Sequence, residues 1–317
     1  MRNRVKNVRA LRMSASPRLR AIILGSGAGG GVPQWNCGCR VCQLAWNGDP
    51  RVSPRTQSSL AVSADGERWL LLNASIDLRE QILATPALRP RGPGRSSPIA
   101  AALLTGTDVD IAAGLLTLRE RQPLTIWGTR RTLDAIAANR IFAVVASDIA
   151  PRRAVALGER FEPLPGLQVE LFATPGKVPL WLEEGAVRTD QEGEQTVGAA
   201  VEVAGRRLIY APGCSRMTDE LQARVSVCHA LFFDGTLFED DEMIRAGLGE
   251  KTGRRMGHMP VSGAGGSLDA LARHSHVRRI FVHINNTNPM LIDGSQEAET
   301  VAAAGWEIGR DGMEVLP

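Results

Sequence analysis

The first 228 residues of this 317-residue chain contain no histidine; all five lie at 229, 258, 274, 276 and 283. No His-rich metal motif can therefore sit in the N-terminal two thirds. Cysteine is also scarce, with five in the chain, too few for a disulfide-built secreted scaffold of this length. Aromatics make up 4%, with a single tyrosine. No apolar run approaches the ~18 residues of a membrane span, and the expectation is a cytoplasmic protein. Acids are absent from residues 1–20, which carry seven bases, although the whole chain has a net charge of only +3. The remainder is thus mildly acidic, which argues against a nucleic-acid surface. The basic segment lacks the apolar core of a secretory signal. Residues 1–20 are expected to be a disordered extension, and 21–317 one domain.

Organisation follows from apolar patterning. Ala21–Leu24 reads as a buried strand feeding the glycine-rich stretch Gly25–Gly31. A dinucleotide fingerprint would need a helix immediately afterwards, but Val32, Pro33 and Cys37 follow. The glycines are better read as places where the backbone passes close to other segments. Further strands are expected at Trp69–Leu72, Ile99–Leu104, Leu124–Trp127, Val169–Phe172, Arg207–Tyr210, Ala230–Phe233 and Arg279–Val282. Helical patterns lie at Ala112–Arg121, Arg131–Ala146 and Thr218–Val225, and Leu88–Pro98 reads as a loop. This order suggests α/β architecture, two packed sheets flanked by helices. Asp108 and Asp110, Asp234, and His283 each follow a strand end. Ligands in layered α/β folds sit outside the carboxyl ends of strands, so these side chains form a candidate metal or catalytic rim.

Cys37, Cys39 and Cys42 form a C-x-C-x2-C motif. One tight loop can aim three thiolates at one ion, and thiolates favour Zn2+ in closed tetrahedral sites. A fourth ligand must come from elsewhere. Cys214 and Cys228 are isolated and read as small buried residues. His229, His274 and His276 read as structural or surface residues. Asp234, before Gly235-Thr236, could equally cap a turn.

Several stretches together carry a family resemblance. Leu24–Cys37, Arg55-Thr56-Gln57-Ser58-Ser59, Leu72-Asn73-Ala74-Ser75, Gly114–Glu120, Phe233-Asp234-Gly235-Thr236, Met256-Gly257-His258 and His283–Pro289 are similar to the pyrroloquinoline quinone (PQQ) biosynthesis protein B family. The resemblance implies a metallo-β-lactamase-like αββα sandwich in a single domain. It implies a role in making PQQ from a peptide containing Glu and Tyr. Two activities follow from it: an Fe2+-dependent oxygenase that hydroxylates the tyrosine ring, or a carrier that moves PQQ or its precursor towards the periplasm. Other PQQ-biosynthesis proteins would be partners, with a homodimer left open.

Ordinary members of the fold hold two metals with a His-x-His-x-Asp-His run. The resembled family keeps only the final Asp-His, which with a later His makes a facial triad for non-haem iron. Here that triad would be Asp110, position 111 and His283, and position 111 is Ile. Either the site is retired and kept as a scaffold, or Asp108, Asp234 or His258 completes an altered ligand set. The resemblance places His258 near the active rim. The lack of His before position 229 argues against a third reading, a dinuclear hydrolase. Related phosphodiesterases carry a His-x-x-His pair whose second His closes the zinc site. The corresponding residues here are His283 and Asn286, so the fourth zinc ligand is Asn286 by position or His283 by chemistry. Arg55, Gln57 and Ser58, and more weakly Lys177, are expected to bind an acidic substrate.

Overall fold

Strands buried on both faces read as unbroken apolar runs, and the alternation of their side chains decides which layer each residue joins. In this computed structural model, which describes residues 17–183 and 188–317, two seven-stranded sheets face one another. The first is built from β1 (Arg20–Gly25), β2 (Ser59–Ser63), β3 (Trp69–Leu72), β4 (Ile99–Leu103), β5 (Thr125–Gly128) and β6 (Arg152–Ala154). The second is built from β7 (Arg160–Leu164), β8 (Leu167–Ala173), β9 (Val197–Val203), β10 (Arg206–Ala211), β11 (Ala230–Asp234), β12 (Arg278–Val282) and β13 (Trp306–Ile308). The last strand, β14 (Glu314–Val315), returns to the edge of the first sheet beside β1. The two sheets are therefore tied by chain crossing at one end and by packing between them.

Side-chain parity sorts the core. Leu70 and Leu72 of β3, Leu167, Val169 and Leu171 of β8, and Ile280 and Val282 of β12 meet between the sheets. Their neighbours point outward. Trp69 and Leu71 pack beneath the helices Leu78–Ala84 and Arg130–Ala138, whose Leu78, Leu133 and Ile136 complete that layer. Phe172 and Phe281 pack beneath Asp219–Ser226 and Gln296–Ala303 through Leu221, Val225 and Val301. The result is the αββα sandwich expected of the sequence.

Every expected strand is present within one or two residues of its expected ends. The helix expected at Thr218–Val225 is present as Asp219–Ser226, but the other two are shorter than expected. Val109–Ala112 passes into the 3-10 turns of Ala113–Leu118, and Arg130–Ala138 stops before a second 3-10 segment, Arg140–Val144. The first sixteen positions of the basic extension lie outside the described residues. Ordered chain begins before Ala21: Leu19 is buried, and Arg18 donates its N–H to the Ala64 carbonyl.

The glycine stretch does allow close backbone approach. A Cβ on Gly25 would lie 2.1 Å from the Gln57 carbonyl oxygen. Gly31 has φ +66 and would bring a Cβ to 2.9 Å of the Arg55 oxygen. This loop is held by Asp311. Its Oδ1 accepts from the Ser26 N–H and hydroxyl at 2.9 and 2.8 Å, and its Oδ2 from the Thr56 N–H and hydroxyl at 2.7 and 2.8 Å. Four donors, two of them backbone, depend on one carboxylate. Asp311→Ala is expected to cost about 3–5 kcal/mol in urea denaturation, because part-buried donors lose their acceptor; a loss under about 1 kcal/mol would contradict the assignment.

Candidate active site

The carboxyl ends of β4, β10, β11 and β12 open on one cavity of about 390 Å3. Asp108, Asp110, Ile111, Thr236, His258 and His283 are among its lining residues. Asp110 stands in the first turn of Val109–Ala112, just after β4, and Asp234 is the last residue of β11. His283 follows β12 with φ 54, a left-handed conformation uncommon outside glycine. Its carbonyl accepts from Thr236 Oγ1 at 3.0 Å, and the next N–H, of Ile284, donates to the Ser26 carbonyl. These bonds hold the bend that turns the imidazole into the cavity.

Asp234 is fully buried, and a buried carboxylate needs donors. Its Oδ2 accepts from the Cys214 N–H at 2.9 Å and faces His258 Nδ1 at 2.7 Å. Its Oδ1 accepts from the Thr236 N–H at 3.0 Å and the Thr236 hydroxyl at 2.6 Å. The same hydroxyl lies 3.1 Å from His258 Nδ1 and 2.9 Å from His283 Nδ1. The two imidazoles stack with centroids 5.1 Å apart. Across the ring, His283 Nε2 meets Asp110 Oδ2 at 3.2 Å.

Electrostatics follow from these contacts. Burial pushes the Asp234 and Asp110 carboxyls up, but the facing imidazoles pull harder, and both settle below the usual carboxylate value. Burial pulls His283 down, yet the Asp110 hydrogen bond and the charges of Asp110, Asp234 and Asp108 leave it raised. Negative charge gathered around imidazoles is suited to a cation. Among the described residues, the donor atoms of Asp234, His258 and His283 lie within 4.8 Å of one another. The Thr236 hydroxyl bonds to all three, so on that inner side the group is a hydrogen-bonded network rather than an ion cage.

A second donor cluster lies at Cys37, Cys39 and Cys42. Cys39 caps the helix Arg40–Trp46 and accepts from the Cys42 N–H. Burial, with the two neighbouring thiols adding to it, pushes the Cys39 thiol up to about 12. Held as thiolates, three sulfurs so close together would require a cation. Asn286 is buried against them, with Nδ2 3.3 Å from Cys42 Sγ and 3.7 Å from Cys39 Sγ. Rotating that amide presents its oxygen instead. His283 faces the other cavity, so of the two expected fourth partners only Asn286 stands at the cysteine loop.

Two of the expected substrate residues are elsewhere. Arg55 is buried and donates to the Ser26 hydroxyl and the Gly309 carbonyl, outside the cavity. Burial pulls its guanidinium down to about 10. Gln57 is spent on the Gly30 N–H and the Asp77 carboxylate. Ser58 does line the cavity, hydrogen-bonded to the Tyr210 hydroxyl at 3.1 Å. Lys177 lines it too, paired with Glu183 at 2.7 Å. Cys214 and Cys228 are buried, and His274 bonds Gln222, as their isolation in sequence suggested. Lys251, Asn73 and Thr236 were not singled out as site residues. Only the Phe233–Thr236 motif pointed towards the last.

The Beta-lactamase superfamily domain matches residues 68–284. Coenzyme PQQ synthesis protein B of Methylobacterium nodulans is 61% identical over 295 residues, covering 93% of this chain and 99% of that protein. The Rhizobium meliloti protein of the same name is 53% identical over 303 residues, covering 96% and 99%. This chain belongs to the coenzyme PQQ synthesis protein B family. Zn2+-bound PqqB from Methylobacterium extorquens matches with a TM-score of 0.92 and 57% identity, over 93% of this chain and 99% of that one. A diphosphatase of the PhnP family, 19% identical with a TM-score of 0.66 over 94% and 96%, shares the fold.

Against the ligand set that the protein B resemblance implies, Ile111 is the departure. Its side chain packs against the apolar layer outside the first sheet and forms part of the cavity wall. The Asp234–Thr236 network is what remains to orient imidazoles. Thr236→Val is expected to cost about 2–3 kcal/mol in chemical denaturation, since His283 Nδ1 loses its hydroxyl partner and the buried Asp234 carboxylate loses a donor. Thr236→Ser should restore most of the loss; no difference between the two variants would contradict the network.

Proposed function

We propose that this chain acts in PQQ synthesis by hydroxylating the tyrosine ring of a processed precursor, with Fe2+ bound beside Asp110 and His283. The observation that carries this reading is the Asp110–His283 pair, 3.2 Å apart and inside the cavity of a PQQ synthesis family member. Carboxylate and imidazole suit Fe2+, and the surrounding acidic residues favour a cation there. When bound, the iron would supply the redox chemistry that activates O2 for transfer of one oxygen atom to an aromatic ring, the other leaving as water with two electrons from an external reductant.

The chain's own residues bind and orient. Ala28, Val197, Met243 and Met256 give the cavity apolar walls suited to an aromatic ring. Lys177 and Lys251 place positive charge on the same lining, suited to the carboxylates of a Glu- and Tyr-containing precursor. Thr236 and Asp234 hold the His283 and His258 rings from behind. Cys37, Cys39, Cys42 and Asn286 would hold a structural Zn2+, fixing the loop whose backbone enters the rim at Ala28 and Gly29.

A carrier for PQQ or its precursor is the second reading, favoured by Ile111 at a position where a ligand is expected. Anaerobic Fe2+ titration separates the two. The enzyme reading expects one Fe2+ beyond the zinc and ring hydroxylation on adding O2 with a two-electron reductant, both lost in Asp110→Asn. Micromolar PQQ binding in equilibrium dialysis, with neither Fe2+ uptake nor turnover, would establish the carrier instead.

The zinc assignment has its own test in chelator competition. Cys42→Ser should lose the zinc. Asn286→Ala should weaken it about tenfold, comparable to loss of a supporting group. Unchanged affinity would remove Asn286 from the ligand set.

A further inference from the structure

On the reading that the substrate is a tyrosine ring, we propose that Ser58 and Asn73 bind its phenolic oxygen, with Tyr210 as the positioning residue that frees the Ser58 proton. The ring oxygen accepts from two neutral donors at the floor of the cavity, which places the ring beside Asp110.

The protons at the floor can be assigned one by one. The Thr105 N–H can only donate, and it meets Asn73 Oδ1 at 3.0 Å, as does the Thr105 hydroxyl. That fixes which way the Asn73 amide points. Its Nδ2 therefore donates to the Tyr210 hydroxyl oxygen at 3.3 Å. Tyr210 is fully buried, so its own proton needs an acceptor, and Ser58 Oγ stands 3.1 Å away. Ser58 accepts from Tyr210 and keeps its own proton. That proton, and the second one on Asn73 Nδ2, hydrogen-bond no acceptor among the described residues. Both residues line the cavity while being only 2% and 1% exposed. Two adjacent donors, desolvated and unpaired, form a subsite for an acceptor oxygen.

The backbone holds this pair in place against strain. Asn73 has φ 67, a left-handed conformation uncommon outside glycine. Its N–H donates to the Leu103 carbonyl at 2.8 Å, and its carbonyl accepts from the Ser59 hydroxyl at 2.9 Å. The next N–H, of Ala74, donates to the Ile111 carbonyl at 2.7 Å. The donors thus stand beside the turn that carries Asp110.

The surrounding charges select the kind of oxygen. Ser58 and Asn73 are neutral, and Asp110 lies near enough for its charge to add to burial in raising the Tyr210 hydroxyl. A second carboxylate would be repelled there. A phenolic oxygen is uncharged and has lone pairs to accept both donors. Substrate carboxylates suit Lys177 and Lys251 on the same lining instead.

The test compares two dipeptides, glutamyl-tyrosine and glutamyl-phenylalanine, which differ by the ring oxygen alone. Calorimetry uses the full chain with zinc in the cysteine loop and Fe2+ present, kept anaerobic so that nothing turns over. Wild type should prefer glutamyl-tyrosine at least about tenfold, since the other dipeptide leaves buried donors unpaired. Ser58→Ala should remove most of that preference by weakening glutamyl-tyrosine alone. Tyr210→Phe should reduce the preference partway, again without weakening glutamyl-phenylalanine. Retained zinc and an unchanged circular dichroism spectrum confirm that the variants fold. Equal wild-type affinities for the two dipeptides would overturn the inference while leaving an aromatic substrate in the cavity. So would a preference that survives both variants, or a loss shared equally by both dipeptides. Binding of neither dipeptide by wild type would overturn the substrate reading as well.

Discussion

A carboxylate with no access to water has to be surrounded by donors, and Asp234 is such a group at the end of a central strand. Its oxygens gather the Cys214 N–H, the Thr236 N–H and hydroxyl, and the His258 ring. Through the Thr236 hydroxyl the same charge reaches His283. One buried charge therefore fixes the position of two imidazoles from separate loops. Their outer edges face a cavity whose far wall carries Asp110. Any chemistry there depends on that network, because free imidazoles would turn.

The cavity also depends on the pairing of the two sheets. Asp110 comes from the first sheet and His283 from the second, so neither sheet alone forms the rim. A polar seam crosses between them: Ser58 Oγ to Tyr210 OH at 3.1 Å, Tyr210 OH to Asn73 Nδ2 at 3.3 Å, and Asn73 Oδ1 to the Thr105 N–H at 3.0 Å. The only tyrosine of the chain is used there, and burial pushes its hydroxyl well above the usual value. His283 and Asn286 stand three residues apart, the first on the cavity and the second against the cysteines. One short segment thus links the cysteine loop to the rim.

Much of this was readable in the sequence. Strands such as β3, apolar throughout, and β12, with its Ile280–Val282 run, stood out, whereas β2 and β9 did not. Ser59 and Ser63 break the apolar run of β2, and Gly198 and Glu202 interrupt β9, although both strands are largely buried. Asp110, Asp234 and His283 were recognisable because each follows a strand end. Arg55 and Gln57 were misread. Polar side chains in a family motif suggest substrate contacts, but Arg55 is used on the Ser26 hydroxyl and the Gly309 carbonyl, and Gln57 on the Gly30 N–H and the Asp77 carboxylate. Which expected partner stands at the cysteines could not be settled from spacing. The left-handed bend at His283 sends consecutive side chains in different directions, and nothing in the residue order announces it. Asp108, Asp110 and His258 sit on one cavity for a similar reason: tertiary closure joins segments nearly 150 positions apart.

No helix among the described residues is long and apolar enough to cross a membrane. The account centres instead on two metal positions in one chain, a thiolate site and an imidazole–carboxylate site. Anomalous diffraction from crystals grown with zinc and soaked anaerobically in Fe2+ addresses this most directly. The account predicts a zinc-edge peak among Cys37, Cys39, Cys42 and Asn286, and an iron-edge peak on the cavity side of His283, beside Asp110. A zinc peak alone, with Asp110 still hydrogen-bonded to His283 and no iron signal in the cavity, would contradict it.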